Sequence, residues 1–389
     1  MKVLHVVKTS EGGDWAAREV RELVSNGLQM HVAVPPGTEN GLRKWKETGA
    51  TLHFIDLDFP ALKPWLLPER LSHARQLINA VSPDLIHSHF FGTTLVLRYA
   101  LGKEHPVARI FQIPGPLHLE QPLFRNWELS SAGPADFWIP SSQYIKKLYS
   151  DAGIPEDRLF QSYYGVDLSQ KPPVRTYALH DLLSLPHDQK IIGNVSHIYK
   201  PKYYLGQFRG IKGHEDLIEA LAEVSNSRED VTGILIGGAW KGATRYERKL
   251  RRKAIEIGGN RIRMIGQLEH RKVLSLLPDF DIVIHVPLSE NCGGVVEPLL
   301  AGVPVIASKV GGLQEVVEHG VTGSLVSPAD PKGLALEISA TLASMPVALE
   351  QAAKGQERAR KLFDVKRTSE EVIKIYQAVL TANRTRFIP

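Results

Sequence analysis

The 389-residue chain has one cysteine, Cys292, so it has no intrachain disulfide framework, and its thiol content fits a reducing compartment. It lacks an apolar run near the ~20 residues that a membrane span needs. The opening residues, MKVLHVVKTSEGG, carry only a short apolar run followed at once by polar residues, which reads as a first strand rather than a secretory leader. These absences predict a cytoplasmic protein. An excess of one charge is also missing. The 47 Lys and Arg stand against 42 Asp and Glu, and a net +5 spread along the chain gives no basis for a nucleic-acid partner. There is no short-period repeat and no low-complexity tract. The G-x-G-x-x-G signature is absent, which argues against a nicotinamide or flavin dehydrogenase.

What is present is regular. With 43% hydrophobic and 23% charged residues the composition is that of a globular protein, and the length exceeds what one ordinary core supports. Short β-branched runs alternate with amphipathic stretches, the pattern of parallel sheets covered by helices. In the first half the expected strands are KVLHVV, MHVAVP, TLHFID, DLIHSH, ARIFQI and DFWIPS; in the second, IIGNVS, VTGILIGG, RIRMIGQ, DIVIHVP, VPVIAS and GSLVS. Between the halves lies LSQKPPVRTYALHDLLSLPHDQ, whose paired prolines and polar residues suggest a linker. The expected division is therefore residues 1–168, a linker over 169–188, and 189–369, with a C-terminal helix over about 370–389. Apolar positions Val372, Ile375, Tyr376 and Val379 give that helix one face.

Several loops carry polar chemistry. Gly12 and Gly13 follow the first strand and open a helix, where exposed backbone amides suit a phosphate; an ordinary tight turn needs the same residues. In FRGIKGHEDLIEAL, Arg209 and Lys212 stand at the mouth of a helix, where a cation opposes the helix dipole unless an anion is bound. Lys200 and Lys202 precede them on an inserted loop. His118, in PGPLHLE, is a candidate site residue, although single histidines are more often structural. In DLIHSHF, His87 and His89 alternate along a strand end and so face one side, but no third ligand at metal-site spacing accompanies them. Asp279 and Asp281 resemble a metal-holding pair but better suit a turn into a buried strand, which Asp favours. Cys292 reads as a small packed residue in the absence of an identifiable partner. In SENCGGVVEPLLAGVPV, glycines feed a helix start, and carboxylates at 290 and 297 flank it. An anion site beside groups that only accept hydrogen bonds implies a ligand both anionic and rich in hydroxyls. The basic helix 245–263 and the apolar, basic segment 61–71 leave peripheral contact with a membrane surface open.

Over nearly its whole length the chain resembles the retaining glycosyltransferases of family 4. The resemblance rests on SENCGGVVEPLLAGVPVIASKVGGLQEVVEHGVTGSLVSPAD, with MKVLHVVKTSEGG, PDLIHSH, RLFQSYYGVDLS and IKGHEDLIEAL in support. It implies an α/β fold of two Rossmann-like domains facing across a cleft, the GT-B arrangement, with the C-terminal helix packing back on the first domain. It implies transfer of a sugar from a nucleoside diphosphate sugar to a hydroxyl acceptor with retention of configuration, without a cofactor or obligatory metal. A phosphorylase, a nucleotide-sugar epimerase or an inactive sugar-nucleotide-binding subunit are the alternatives on the same plan.

The matched positions imply roles. Glu297 holds the ribose, Glu290 meets the transferred sugar, and Asn291, Gly293, Gly294 and Val295 form the helix start beside the diphosphate. Lys212 binds phosphate, His118 contacts the donor sugar, Gly12 and Gly13 face the diphosphate, and Gly266 lies near the base. The acceptor side is placed near Trp15 and His89. Two departures stand out. The family's paired glutamates are eight apart, whereas 290 and 297 are seven apart and Ser289 occupies the eighth position. A Gly-Arg pair after the first strand of the second domain is replaced by Ser196 and His197, so Lys202 or Arg209 is expected to supply the missing cation.

Overall fold

The computed structural model describes residues 1–169, 171–203 and 206–386. The chain forms two compact units, Met1–Ser169 with Leu362–Pro389, and Gln170–Lys361. Among the described residues each unit holds one six-stranded sheet, and the paired strands run parallel. No single helix among them is long and apolar enough to cross a membrane.

In the first unit the strands are β1 (Lys2–Val6), β2 (Gln29–Val34), β3 (Thr51–Phe54), β4 (Leu85–Ser88), β5 (Ala108–Ile113) and β6 (Asp136–Pro140), in the order β3-β2-β1-β4-β5-β6. Helices cover both faces, so β1 is apolar on both: Val3 packs into one core, and Leu4 and Val6 into the other. His5 shares the side of Val3, where the C-terminal helix Val365–Arg386 lies. Val372, Ile375, Tyr376 and Val379 of that helix are buried with Val3, Val20, Leu85 and Ile110. The apolar stripe legible in the tail thus completes the first unit's core. The return of the chain is sealed at Gly165, where a Cβ would stand 2.3 Å from the Val365 Cα.

The second unit repeats the plan. Its strands are β7 (Lys190–Val195), β8 (Val231–Ile236), β9 (Ile262–Gly266), β10 (Ile282–His285), β11 (Val305–Ser308) and β12 (Ser324–Val326), in the order β12-β11-β10-β7-β8-β9. Each expected apolar run forms the strand assigned to it; β4, β5, β8, β10 and β11 are buried throughout and so read as near-continuous apolar runs, whereas β3 and β9 are part-exposed.

The expected linker needs correction. Residues from Arg175 onward are built into the second unit. The Asp279 carboxylate accepts from the backbone N–H groups of Thr176, Tyr177 and Leu179 at 2.7, 2.9 and 2.9 Å, and so caps the short helix Ala178–Leu183. Asp281 accepts from the Ile191 N–H at 2.8 Å and pairs with Arg175 at 3.1 Å and Lys190 at 3.6 Å. Both aspartates are thereby committed to holding this segment on the sheet, which is their turn-marking role and not a metal site. The last helix also begins earlier than expected, at Val365.

Candidate active site

In a doubly wound sheet the ligand crevice lies at the carboxyl ends of the strands where the order reverses. In the second unit that point falls between β7 and β10. The loop after β7 runs through Ser196 to Lys212, and the loop after β10 through Val286 to Val295. They are stitched together by the Leu288 N–H, which donates to the Ile211 carbonyl at 2.8 Å. Gly213 allows this approach: at φ +68° it caps the helix His214–Ser227, and a Cβ there would stand 2.0 Å from the Val286 carbonyl oxygen.

The stitched loops bring Lys212 and Glu290 into an ion pair. Glu290 Oε2 also lies 3.3 Å from His285 Nε2, and its Oε1 accepts from the Asn291 N–H at 3.2 Å. Burial acts to raise the Glu290 pKa, but Lys212 and His285 outweigh it and hold the carboxyl down at about 2. His285 is itself buried, and burial keeps its pKa below the usual imidazole range. Gly294, at φ +78°, lies so close to this ring that a Cβ would stand 2.3 Å from its Cε1. The two adjacent glycines therefore bring backbone against the Glu290 and His285 side chains. Val295 leads into the helix Val296–Leu300, on which Glu297 lies with Oε1 2.8 Å from His270 Nε2.

The other positions expected on the donor side lie on further loops of the second unit. Arg209 is ion-paired with Asp216 in the first turn of the helix His214–Ser227, and it is that contact, not the Lys212–Glu290 pair, that engages its guanidinium here. The Lys202 carbonyl accepts from the Gln207 N–H at 3.3 Å on the inserted loop, of which residues 204 and 205 lie outside the described structure. At Ser196 and His197 there is no cation. Ser196 Oγ donates to Asn194 Oδ1 at 2.6 Å and is hydrogen bonded to His214 Nε2 at 3.2 Å, while the His197 ring lies 4.9 Å from the Trp240 ring. Gly266 ends β9 at φ +85°, its carbonyl accepting from the Gly237 N–H at 2.8 Å. Asn291 and Cys292 are buried, and burial, with Glu315 and Glu290 nearby, pushes the thiol well above its ordinary value. That environment disfavours a nucleophilic thiolate.

In the first unit Gly12 and Gly13 both take left-handed backbone, at φ +72° and +74°, and Gly13 caps the helix Asp14–Ser25. Trp15, in its first turn, packs on Tyr164, His89 and Phe90 at ring distances of 4.1, 5.3 and 5.6 Å. His89, expected on the acceptor side, is fully buried beneath Trp15 and Tyr164. His118 lies 5.4 Å from the Phe91 ring and 5.6 Å from the Phe111 ring, with Nε2 3.2 Å from Tyr149 Oη. Burial lowers its pKa to about 4, so it is neutral near pH 7.

Two members of the second unit's cluster, His285 and His270, were not singled out in the sequence. His285 had one signal, its place as the last residue of a strand at the switch point. His270 had none, since its pairing with Glu297 joins separate elements.

A chain with two doubly wound parallel sheets of this order, one carrying a lysine, a carboxylate and paired glycines at its switch point, is of the GT-B fold class. Residues 188–362 match the family of glycosyl transferases group 1, and residues 15–170 match glycosyltransferase family 4. The chain belongs to this family of glycosyltransferases. It is 27% identical over 283 residues to D-inositol 3-phosphate glycosyltransferase of Mycolicibacterium smegmatis, covering 69% of this chain and 62% of that relative's length. Among solved structures it is similar to Anabaena HepE in complex with UDP and glucose, with TM-score 0.78 and 21% identity over 97% of this chain and 99% of that one. It is also similar to the sucrose-phosphate synthase of Thermosynechococcus elongatus, with TM-score 0.76 and 18% identity over 98% of this chain and 100% of that one.

Proposed function

We propose that the chain transfers a sugar from a nucleoside diphosphate sugar to a hydroxyl-bearing acceptor, with retention of anomeric configuration, and that the second unit holds the donor. The observation that carries this reading is the Lys212–Glu290 pair held beside His285 and Gly294 at the sheet's switch point. It combines a cation for phosphate with an ionised acceptor of sugar hydroxyls, as a ligand both anionic and hydroxylated requires. With donor bound, the Lys212 ammonium turns from Glu290 to the diphosphate, and the carboxylate it has kept ionised accepts from the transferred sugar. Glu297 exchanges His270 for the ribose. As the bond from the anomeric carbon to the phosphate oxygen breaks, negative charge grows on the leaving diphosphate, and Lys212 stabilises it. No metal is required at the diphosphate in this scheme.

The exposed basic face of the helix Thr244–Gly258, with Arg245, Arg248 and Arg252 beside Ile255, suits peripheral contact with an anionic membrane carrying a lipid-linked acceptor.

The test is transfer from a panel of uridine, guanosine and adenosine diphosphate sugars to mixed hydroxyl acceptors, in the presence of a chelator, with the product anomer read by NMR. We expect turnover with one donor class, and in Lys212→Ala a rate lower by roughly 10- to 1000-fold, on the scale of losing one stabiliser of transition-state charge. Binding without turnover, strict dependence on an added divalent metal, or an unchanged rate in Lys212→Ala would refute this reading.

A further inference from the structure

The first unit contains a cluster of ionisable side chains to which the transfer scheme gives no role. In the parallel ladder of β1 and β4, His5 stands opposite His87, and His89 follows two residues later on the same side. The helix Asp14–Ser25 lays Glu19 against them. All four side chains are buried, and one ligand atom from each lies within 4.8 Å of the others.

Their other polar atoms are already engaged. His5 Nε2 and His87 Nδ1 are hydrogen bonded to Tyr376 Oη at 2.9 and 2.6 Å. His89 Nδ1 is 3.2 Å from Tyr164 Oη, and Glu19 Oε2 accepts from Gln112 Nε2 at 3.2 Å. This leaves His5 Nδ1, His87 Nε2, His89 Nε2 and Glu19 Oε1. The first and third are 2.9 Å apart and share a hydrogen bond. The other two, His87 Nε2 and Glu19 Oε1, are buried with no hydrogen-bond partner; the Gln112 side chain lies beside His87 but makes no aligned bond to that nitrogen. Two unpartnered polar atoms in a core are costly, and native structures rarely leave them so.

We propose that His5, Glu19, His87 and His89 form a closed, structural site for a divalent metal ion, with zinc as the ion. Three imidazole nitrogens and one carboxylate oxygen make a four-coordinate set, and the absence of an open position makes the ion a fold-stabilising one rather than a catalyst. Tetrahedral zinc with arms of about 2.0–2.1 Å spaces its ligand atoms ~3.3 Å apart. The His5 and His89 nitrogens, 2.9 Å apart, open slightly to reach that spacing, and the more distant atoms close by up to about 1.5 Å on binding. The ion takes the place of the proton shared by His5 and His89 and provides a partner for both unsatisfied atoms. Tyr376 and Tyr164 act as the outer partners that orient the rings. Because Tyr376 belongs to the C-terminal helix, the ion also ties that helix to the sheet.

The experiment uses the full chain, expressed with added zinc and gel-filtered against a weak chelator, with metal content measured by mass spectrometry. One zinc per chain is expected in the wild type, and a loss of roughly tenfold or more in Glu19→Gln/His87→Gln, since ligand removal of this kind abolishes tight binding. His53→Ala, which removes a histidine outside the cluster, keeps its metal. Cobalt substitution of the wild type gives the visible bands of a tetrahedral site. A wild type without stoichiometric metal and without cobalt bands overturns the proposal, as does metal retained undiminished in the double variant. Where the double variant does not fold, X-ray absorption of the wild type decides: a shell of several imidazoles supports the site, and sulfur or all-water coordination refutes it.

Discussion

Replacing Lys212 with methionine removes the ammonium from Glu290 while keeping most of the side chain's bulk. The carboxylate keeps the His285 nitrogen at 3.3 Å and the Asn291 N–H at 3.2 Å. In the intact protein the Glu290 pKa is lowered from 4.5 to about 2. A shift of that size corresponds to roughly 3 kcal/mol at most, since each unit is worth about 1.4 kcal/mol. The two side chains are 20% and 15% exposed, so solvent and relaxation weaken the pair. We therefore expect Lys212→Met to destabilise the second unit by about 1–3 kcal/mol near pH 7.

The sign follows from the direction of the shift. A depressed carboxyl pKa stabilises the fold above the unfolded value, near 4.5, and that contribution is lost as pH falls through about 2. Roughly half or more of it is gone by pH 3. In the variant the lowering by Lys212 is gone and His285 alone opposes burial, so the Glu290 pKa lies higher than in the intact protein and the stability difference narrows as pH falls. The assay is calorimetric or urea unfolding of both proteins at pH 7.5, 5 and 3, comparing the transition assigned to the second unit. A stability difference that is the same at pH 7.5 and pH 3, or absent at pH 7.5, would refute the reasoning.

Two further predictions concern the donor site and the tail. Glu297→Gln is expected chiefly to raise the donor KM, by the equivalent of about 1–3 kcal/mol for a charge-assisted hydrogen bond, whereas Glu290→Gln chiefly lowers kcat. A large kcat loss in Ser289→Ala beside a near-normal Glu290→Gln in steady-state kinetics would transfer the sugar contact to Ser289. Truncation after Phe363 removes the buried Val372, Ile375, Tyr376 and Val379. At about 1.5–3 kcal/mol per buried side chain, the loss is comparable to a whole domain's stability, so insoluble or inactive protein is expected. A soluble, active truncation would show that the helix is dispensable.

Much of this architecture follows from the sequence because its physical origin is local. Strands buried on two faces leave largely apolar runs such as KVLHVV and DIVIHVP, and a tail helix that must cover a sheet shows its stripe at Val372, Ile375, Tyr376 and Val379. The close backbone approach at the glycines after β10 was legible because glycine's backbone freedom belongs to the residue itself. What depends on register and on loops meeting in space was not legible. His5 is one histidine in an apolar strand until the β1–β4 ladder sets it opposite His87 and the helix brings Glu19 over both. Asp279 and Asp281 could be read as metal ligands until the fold returned residues 175–191 to them as N–H and cation partners. Arg209 and Lys212 are three residues apart on one loop, and only tertiary structure gives Asp216 to the first and Glu290 to the second. Residue type and periodicity specify which elements form, because those preferences act within a few residues. Which side chains share a proton or a charge depends on distances between elements far apart in the chain, and packing alone sets those.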